Sequence, residues 1–425
     1  MSHAPGQGTP RPSVLRERSY RYLLGAATIS NFGSMLHALA LPFVAVAVLD
    51  ATPADIATLT AAGLLPAFLL GPFASAWVDR LPRRALLVST DCARAAVVLF
   101  VPLAALGGVL DLVQLHAVVA LHGLLSFLFG AAHHAILPAV VRADRLLEAN
   151  GRLKGAEAVS EAAAFASGGW LVQWIGAPLV LAVDAASYLV SAWLLRGVDA
   201  REPAPAVQRA APAGPRSVLR ETAEGLRFLL GHRLLLPSAL ALALAALSWR
   251  MTGVVYLLFV YEELGFAPGV LGMVFAAGGV ASLAGSFAAE RLATRLGVGP
   301  TMVAGLAGFG LATLLLPLAP GTGAAGLVIL LVHQLGDGCE VLFEVSQASL
   351  RQSATPTRLL GRVAGGVAFA STGAMLLGLA MGGVLGERLG LRAVLWVAGG
   401  VTLAAAALLA LSPLGATRAL PTPED

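Results

Sequence analysis

The chain has 425 residues, of which 57% are hydrophobic and only 12% charged, and its mean hydropathy is +0.81. A soluble domain carries about 25% charged residues, so this composition excludes a soluble enzyme and implies an integral membrane protein. The formal charge of +4 does not signal a nucleic-acid partner, because the basic residues follow the membrane spans.

The first residues, MSHAPGQGTPRPS, lack the short apolar core and small-residue cleavage site of a signal peptide and read as a disordered tail. Apolar blocks of about 20 residues can each span a bilayer as a helix. Twelve such blocks follow, at 21–48, 54–78, 84–107, 112–141, 152–174, 177–196, 235–261, 267–289, 298–318, 323–350, 361–385 and 391–412. The fifth is interrupted by Glu157 and Glu161. The expected organisation is a tail (1–20), a six-helix bundle (21–197), a linker with an amphipathic helix (198–234), a second six-helix bundle (235–412) and a tail (413–425).

The connections alternate in charge. One set, which includes both tails and the linker, holds 24 of the 28 basic residues; the others are Arg388, Arg392, Arg94 and Arg250. Basic loops stay on the cytoplasmic side, so both termini are expected there, in the cell membrane. Residues 198–216, rich in Pro, Ala and Arg, have the composition of a flexible linker. In the segment after it, Val218, Leu219, Leu226, Leu229 and Leu230 alternate with charges, the pattern of a helix lying on a membrane face.

The halves repeat. Ser75 to Leu81 aligns with Ser286 to Leu292 at an offset of 211, Arg84 then matches Arg295, and Arg145-Leu146-Leu147 matches Arg358-Leu359-Leu360. Two bundles related by such a repeat are a common plan of secondary transporters.

Asp79-Arg80-Leu81-Pro82-Arg83-Arg84, after the second span, resembles the signature of the major facilitator superfamily, with Ser75 and Pro82 where the signature has glycines. Leu147-Glu148-Ala149-Asn150, Asp184-Ala185-Ala186-Ser187-Tyr188, Glu224-Gly225-Leu226-Arg227-Phe228 and Ser349-Leu350-Arg351-Gln352 with Gly361-Arg362 are similar to stretches of its enterobactin-exporter and macrolide-efflux branch. The resemblance implies an all-α fold of twelve transmembrane helices in two pseudo-symmetric bundles, with spans one, four, seven and ten around a central cavity. It further implies that Asp79 touches the start of span eleven and locks the cytoplasmic side, with Arg80, Arg83, Arg84, Gly361 and Arg362 in the same gate. Gly361, Gly365 and Gly366 would allow that approach, and a carboxylate at a helix N-terminus gains about 0.3–1 kcal/mol. Many relatives carry an acidic residue after the first-span glycine; here Gly33 is followed by Ser34, so that site does not carry over.

The chemistry is concentrated in His333-Gln334-Leu335-Gly336-Asp337-Gly338-Cys339-Glu340-Val341-Leu342-Phe343-Glu344. At about 100° per residue, His333, Asp337, Glu340 and Glu344 fall within an arc of roughly 60° on one helix face, over about 16 Å. Ionisable groups inside a membrane are costly and face a cavity or a partner. Such a row either couples transport to protons or pairs internally to hold helices together. Arg250 in span seven and Asp337 in span ten lie at similar depths, about 22 and 21 Å from their cytoplasmic starts by helix rise, and are expected to pair.

Secondary candidates are Asp91 and Arg94, spaced i, i+3 so that they can neutralise each other, and Asp184 in span six. His116, His122, His133 and His134 lie on span four, and His122 and His133 share a face. An imidazole titrates near pH 6.5 and can relay protons or simply be satisfied in place. Glu157 is placed to pair with Lys154.

Lys154 is the only lysine and follows no phosphate-binding loop; no H-E-x-x-H or G-x-S-x-G occurs. Cys92 and Cys339 lie inside spans, with no metal-ligand spacing. The expectation is therefore a monomeric transporter, not an enzyme, without cofactor or metal. It would export a small drug, siderophore or secondary metabolite against protons. The rivals are an importer of the same fold and a receptor or scaffold built on it.

Overall fold

In hydrocarbon a backbone can close its hydrogen bonds only within a helix or a closed barrel, and this chain forms helices throughout its apolar blocks. The computed structural model describes residues 13–78, 81–142, 145–199 and 215–421, without the side chains of 71–78, 134, 135, 147, 215–222 and 357. The first half comprises α1 (Arg18–Leu49), α2 (Pro53–Val78), α3 (Arg83–Leu106), α4 (Leu112–Val140), α5 (Leu146–Ile175) and α6 (Ala177–Arg196). The linker helix is α7 (Pro215–Gly231). The second half comprises α8 (Leu235–Leu258), α9 (Pro268–Leu296), α10 (Val298–Leu315), α11 (Ala324–Ala354), α12 (Leu360–Leu389) and α13 (Leu391–Leu411).

Eleven of these helices are long and apolar enough to cross a membrane. The twelfth bundle helix is α5, whose Glu148, Glu157 and Glu161 lower its hydropathy. Its 30 residues nevertheless rise about 45 Å, and it packs along its length against α1 and α9. Large apolar side chains such as Val113, Trp193 and Leu411 are exposed, as lipid-facing residues must be.

The two halves pack by one pattern. In the first, α1 lies against α5 and α6, α3 against α4 and α6, and α2 against α4; in the second, α8 lies against α12 and α13, α10 against α11 and α13, and α9 against α11. Even the joints repeat. Gly176 turns α5 into α6 at φ +83°, and Gly390 turns α12 into α13 at φ +84°. Each joint is a single residue in the left-handed region, where glycine pays no Cβ penalty.

Across the halves, α5 meets α9 and α2 meets α12. The closest approaches gather at the end away from the termini. A Cβ on Gly169 (α5) would sit 2.3 Å from the Pro268 carbonyl oxygen, and one on Gly272 (α9) would sit 3.0 Å from the Gly169 Cα. The Gly269 N–H donates to Gln173 Oε1 at 3.1 Å, and Thr52 donates to Glu387 at 3.0 Å. Without a hydrophobic drive between helices in lipid, small residues give the contact its van der Waals packing. Toward the termini, Glu161 and Glu344 are exposed and, among the described residues, nothing lies within 4 Å of the places a Cβ would take on Gly361 and Gly365. The bundles are thus closed at one end and parted at the other.

Candidate functional site

The acidic row of α11 runs from the closed end toward the open one, and its burial falls along the way. His333 is buried, with its ring 5.7 Å from that of Tyr256 (α8) and 5.9 Å from that of Phe309 (α10). Asp337 and Glu340 are half-buried, and Glu344 is exposed. Gln334 donates to Asp337 Oδ2 at 3.4 Å, and the same oxygen lies 2.3 Å from where a Cβ on Gly278 (α9) would stand. None of the three carboxylates has a basic group within 4 Å among the described residues. Tyr256 Oη, His333 Nδ1 and Ser346 Oγ are buried without a hydrogen-bond partner. Buried polar groups normally find partners, so Tyr256 and His333, whose rings lie side by side, mark a place suited to a polar guest.

Arg250 does not pair with Asp337. Its guanidinium lies 4.5 Å over the Trp249 ring, and its Nε is buried without a partner. Helix rise fixes depth but not azimuth. Arg250 is six residues from Tyr256, the residue through which α8 reaches His333, and six residues turn a helix face by about 120°. The expected result is that Arg250→Ala and Asp337→Ala change thermal stability additively, within about 0.5 kcal/mol. A coupling above 1 kcal/mol in the purified double mutant would restore the pair.

A second cluster occupies the first bundle. Asp184 (α6) is fully buried, and its Oδ2 lies 3.0 Å from Nδ1 of buried His37 (α1). The His37 ring stacks on that of His122 (α4) at 4.3 Å and 14°. His122 Nε2 meets Tyr188 Oη at 3.0 Å, and Tyr188 Oη meets Ser34 Oγ at 3.0 Å. The guanidinium of Arg94 (α3) is sandwiched between Tyr188 at 4.3 Å and Phe129 at 4.0 Å, while Phe129 stacks on His133 at 5.8 Å. Arg94 also forms a buried ion pair with Asp91. These groups make one continuous ladder through four helices.

The donor atoms of His37, His122 and Asp184 lie within 4.8 Å of one another. A metal must lie in the plane of each imidazole that binds it, about 2.0–2.1 Å from the nitrogen for zinc. Two rings stacked at 14° cannot both meet that condition, so this arrangement does not chelate one ion. Nor can both rings be protonated cheaply: two unit charges about 4 Å apart repel by roughly 4 kcal/mol at an effective dielectric of 20.

A family model described as transmembrane secretion effector matches residues 11–423. The chain belongs to that family of MFS-type transporters. It is 26% identical over 395 residues to the uncharacterised MFS-type transporter YfiS of Bacillus subtilis, covering 92% of each chain. It is 28% identical over 397 residues to the uncharacterised MFS-type transporter y4rN of Sinorhizobium fredii, covering 92% of this chain and 93% of that one. Its fold is similar to crystal structures of a mutant of the nucleoside transporter NupG and of a bacterial homologue of the iron transporter ferroportin in its inward-facing state. The TM-scores are 0.74 and 0.73, at 13% and 20% identity, over 92% and 94% of this chain and 98% of each of theirs.

In this MFS-type transporter the remaining described candidates make their contacts outside both clusters. Asp79 and Arg80 lie outside the described residues, and so does the side chain of His134. Arg84 donates to the Arg196 carbonyl, and Arg83 also makes a side-chain interaction. Arg362 pairs with Glu224 of the linker helix at 2.7 Å, and a Cβ on Gly225 would sit 2.1 Å from the Arg362 carbonyl oxygen. The start of α12 is therefore held by α7, and no described residue lies within 4 Å of the places a Cβ would take on Gly361 and Gly365; the expected approach of Asp79 to this helix lies outside the described residues. His116 is satisfied in place by Thr58 at 2.9 Å, and Lys154 pairs with Glu157 at 2.5 Å.

Sequence reading singled out Asp184, His122, Asp91, Arg94 and His133 but missed His37, Tyr188 and Ser34. A usable signal existed. Ser30, Ser34 and His37 stand at i, i+4, i+7, the same spacing that marks the α11 row.

Proposed function

We propose that this transporter is a proton-coupled exporter of a small lipophilic or amphipathic compound, working as a monomer in the cell membrane with both termini cytoplasmic. Substrate binds between the bundles, which rock to expose it alternately to each side. The observation that carries this reading is the α11 row: three carboxylates without basic partners, graded from half-buried to exposed toward the parted end. A carboxylate that crosses from water into such a site trades charge for a proton, so Asp337, Glu340 and Glu344 are the coupling groups, with His333 and Arg250 lining the same half. Asp79, Arg80, Arg83, Arg84, Gly361 and Arg362 form the cytoplasmic gate. The basic tails and linker support this orientation, and the secretion named in the family description supports export. The other direction, import, is an outcome of the same test.

The test uses inverted vesicles with an imposed pH gradient and a panel of drugs and siderophores. One proton exchanged per neutral substrate sustains about a tenfold concentration ratio per pH unit, since each tenfold corresponds to 1.4 kcal/mol. Wild type is expected to reach that ratio. At least one of Asp337→Asn, Glu340→Gln and Glu344→Gln should bring it to one while keeping downhill exchange. If all three variants still pump uphill, coupling by this row is wrong; if no gradient moves any substrate in wild type, proton-driven export is wrong.

A further inference from the structure

The ladder in the first bundle carries charge that the α11 row does not explain. Asp91 and Arg94 cancel one another. Asp184 is left as a fully buried carboxylate whose only titratable partner within hydrogen-bond reach among the described residues is His37 at 3.0 Å. An isolated buried charge is far costlier than a paired or neutralised one, so the His37–Asp184 pair is stable only while it holds a proton. The groups facing it from the neighbouring helices are His122 on α4, Tyr188 on α6, and Asp91 with Arg94 on α3. From α5, the Glu157 backbone carbonyl accepts from Asn31, and the Glu157 side chain is taken by Lys154. None of these supplies a second positive charge to Asp184: Arg94 serves Asp91, and the stacked His122 cannot share the load with a charged His37.

We propose that His37 and Asp184 form a proton-binding site, separate from the carboxylates of α11, whose single proton fastens α1 to α6. The backbone of α1 lies flush on the site, since a Cβ on Gly33 would sit 2.6 Å from Asp184 Oδ1 and 2.0 Å from Ser187 Oγ. Beside it, half-buried His122, whose donor nitrogen lies within 4.8 Å of the pair, is joined through the Tyr188 hydroxyl to half-buried Ser34. Loss of the proton leaves Asp184 charged against the α1 backbone and loosens that contact, which gives the site a lever on a helix of the central cavity. Its role in transport rests on the proton-coupled reading; its existence as a proton site does not.

The experiment is nitrogen-15 NMR of histidine-labelled full-length protein in nanodiscs between pH 5 and 9. It compares wild type, Asp184→Asn, His37→Gln and His122→Gln. One histidine of wild type should hold its proton at least tenfold more tightly than the same histidine does in Asp184→Asn. That resonance should vanish in His37→Gln, lose the excess affinity in Asp184→Asn and persist in His122→Gln. Two variants on opposite sides of the pair guard against one failing to fold. A His37 signal that titrates alike in wild type and Asp184→Asn overturns the proposal. Vesicle assays on the same variants separate the two readings. Wild type that ignores a pH gradient yet shows the linked proton keeps the site and removes only its coupling role.

Discussion

Gly169→Leu should hold the bundles apart at their closed end and abolish most transport. At Gly169 even a methyl would meet the Pro268 carbonyl oxygen at 2.3 Å, and backbone cannot step aside as a flexible side chain can. Overpacking a close contact costs about 1–3 kcal/mol, and Leu adds three more carbons in the same place. Reversing a 99:1 preference takes about 5.5 kcal/mol. Gly169→Ala is therefore expected to shift the population partly and Gly169→Leu nearly completely, toward a state open at this end. Gly272→Leu should act alike from α9, whereas Gly151→Leu on the same α5, with nothing within 4 Å of its Cβ position, should be neutral. The readout is labelling of a cysteine placed at Ala57, beside Gly383 at the α2–α12 contact, together with transport. Unchanged labelling in both Leu variants would mean that this crossing does not close the transporter.

Arg94→Met should be the most damaging single change to stability in the first bundle. It strands buried Asp91, and breaking a buried ion pair from one side costs about 3–5 kcal/mol. It also removes the guanidinium between Phe129 and Tyr188, where a desolvated cation–π contact contributes about 2 kcal/mol. Asp91→Leu strands an arginine that still has both rings. The double variant should recover much of the loss, because replacing both charges with apolar side chains is often near neutral. Thermal melts of the four forms in one detergent decide the matter. A loss below about 1 kcal/mol for Arg94→Met would show that water reaches the pair and that the ladder is not a dry core.

Much of the architecture could be read before the structure because bilayer thickness imposes a length on each apolar block and the offset of 211 imposes the pairing of halves. The twelve blocks became the twelve bundle helices, including α5, whose glutamates had made it the least apolar. The α11 row was legible because four ionisable groups in an apolar helix share one spacing. The pairing of Arg250 with Asp337 was not, since equal rise says nothing about rotation, and the arginine found a tryptophan face on its own helix instead. His37 escaped because its charged partner is 147 positions away and its helix shows only the fainter spacing of Ser30 and Ser34 beside it. Tyr188 was quoted only as part of a motif, although its hydroxyl joins α1 to α4.

The Glu224–Arg362 contact also settles which half owns the linker helix. Seventeen residues that precede the second bundle in sequence are fastened by Gly225 and Arg362 to α12, and α7 packs against α8 as well. The seam of the molecule thus lies ahead of Pro215. Two-fold in its membrane part, the protein is lopsided at its surface: one half carries a strut that the other lacks. Held mainly by α12 and α8, α7 belongs with the second half. Only the chain between Asp199 and Pro215 joins the halves in sequence, so shortening that stretch should act as a brake on transport without touching either cluster of ionisable groups.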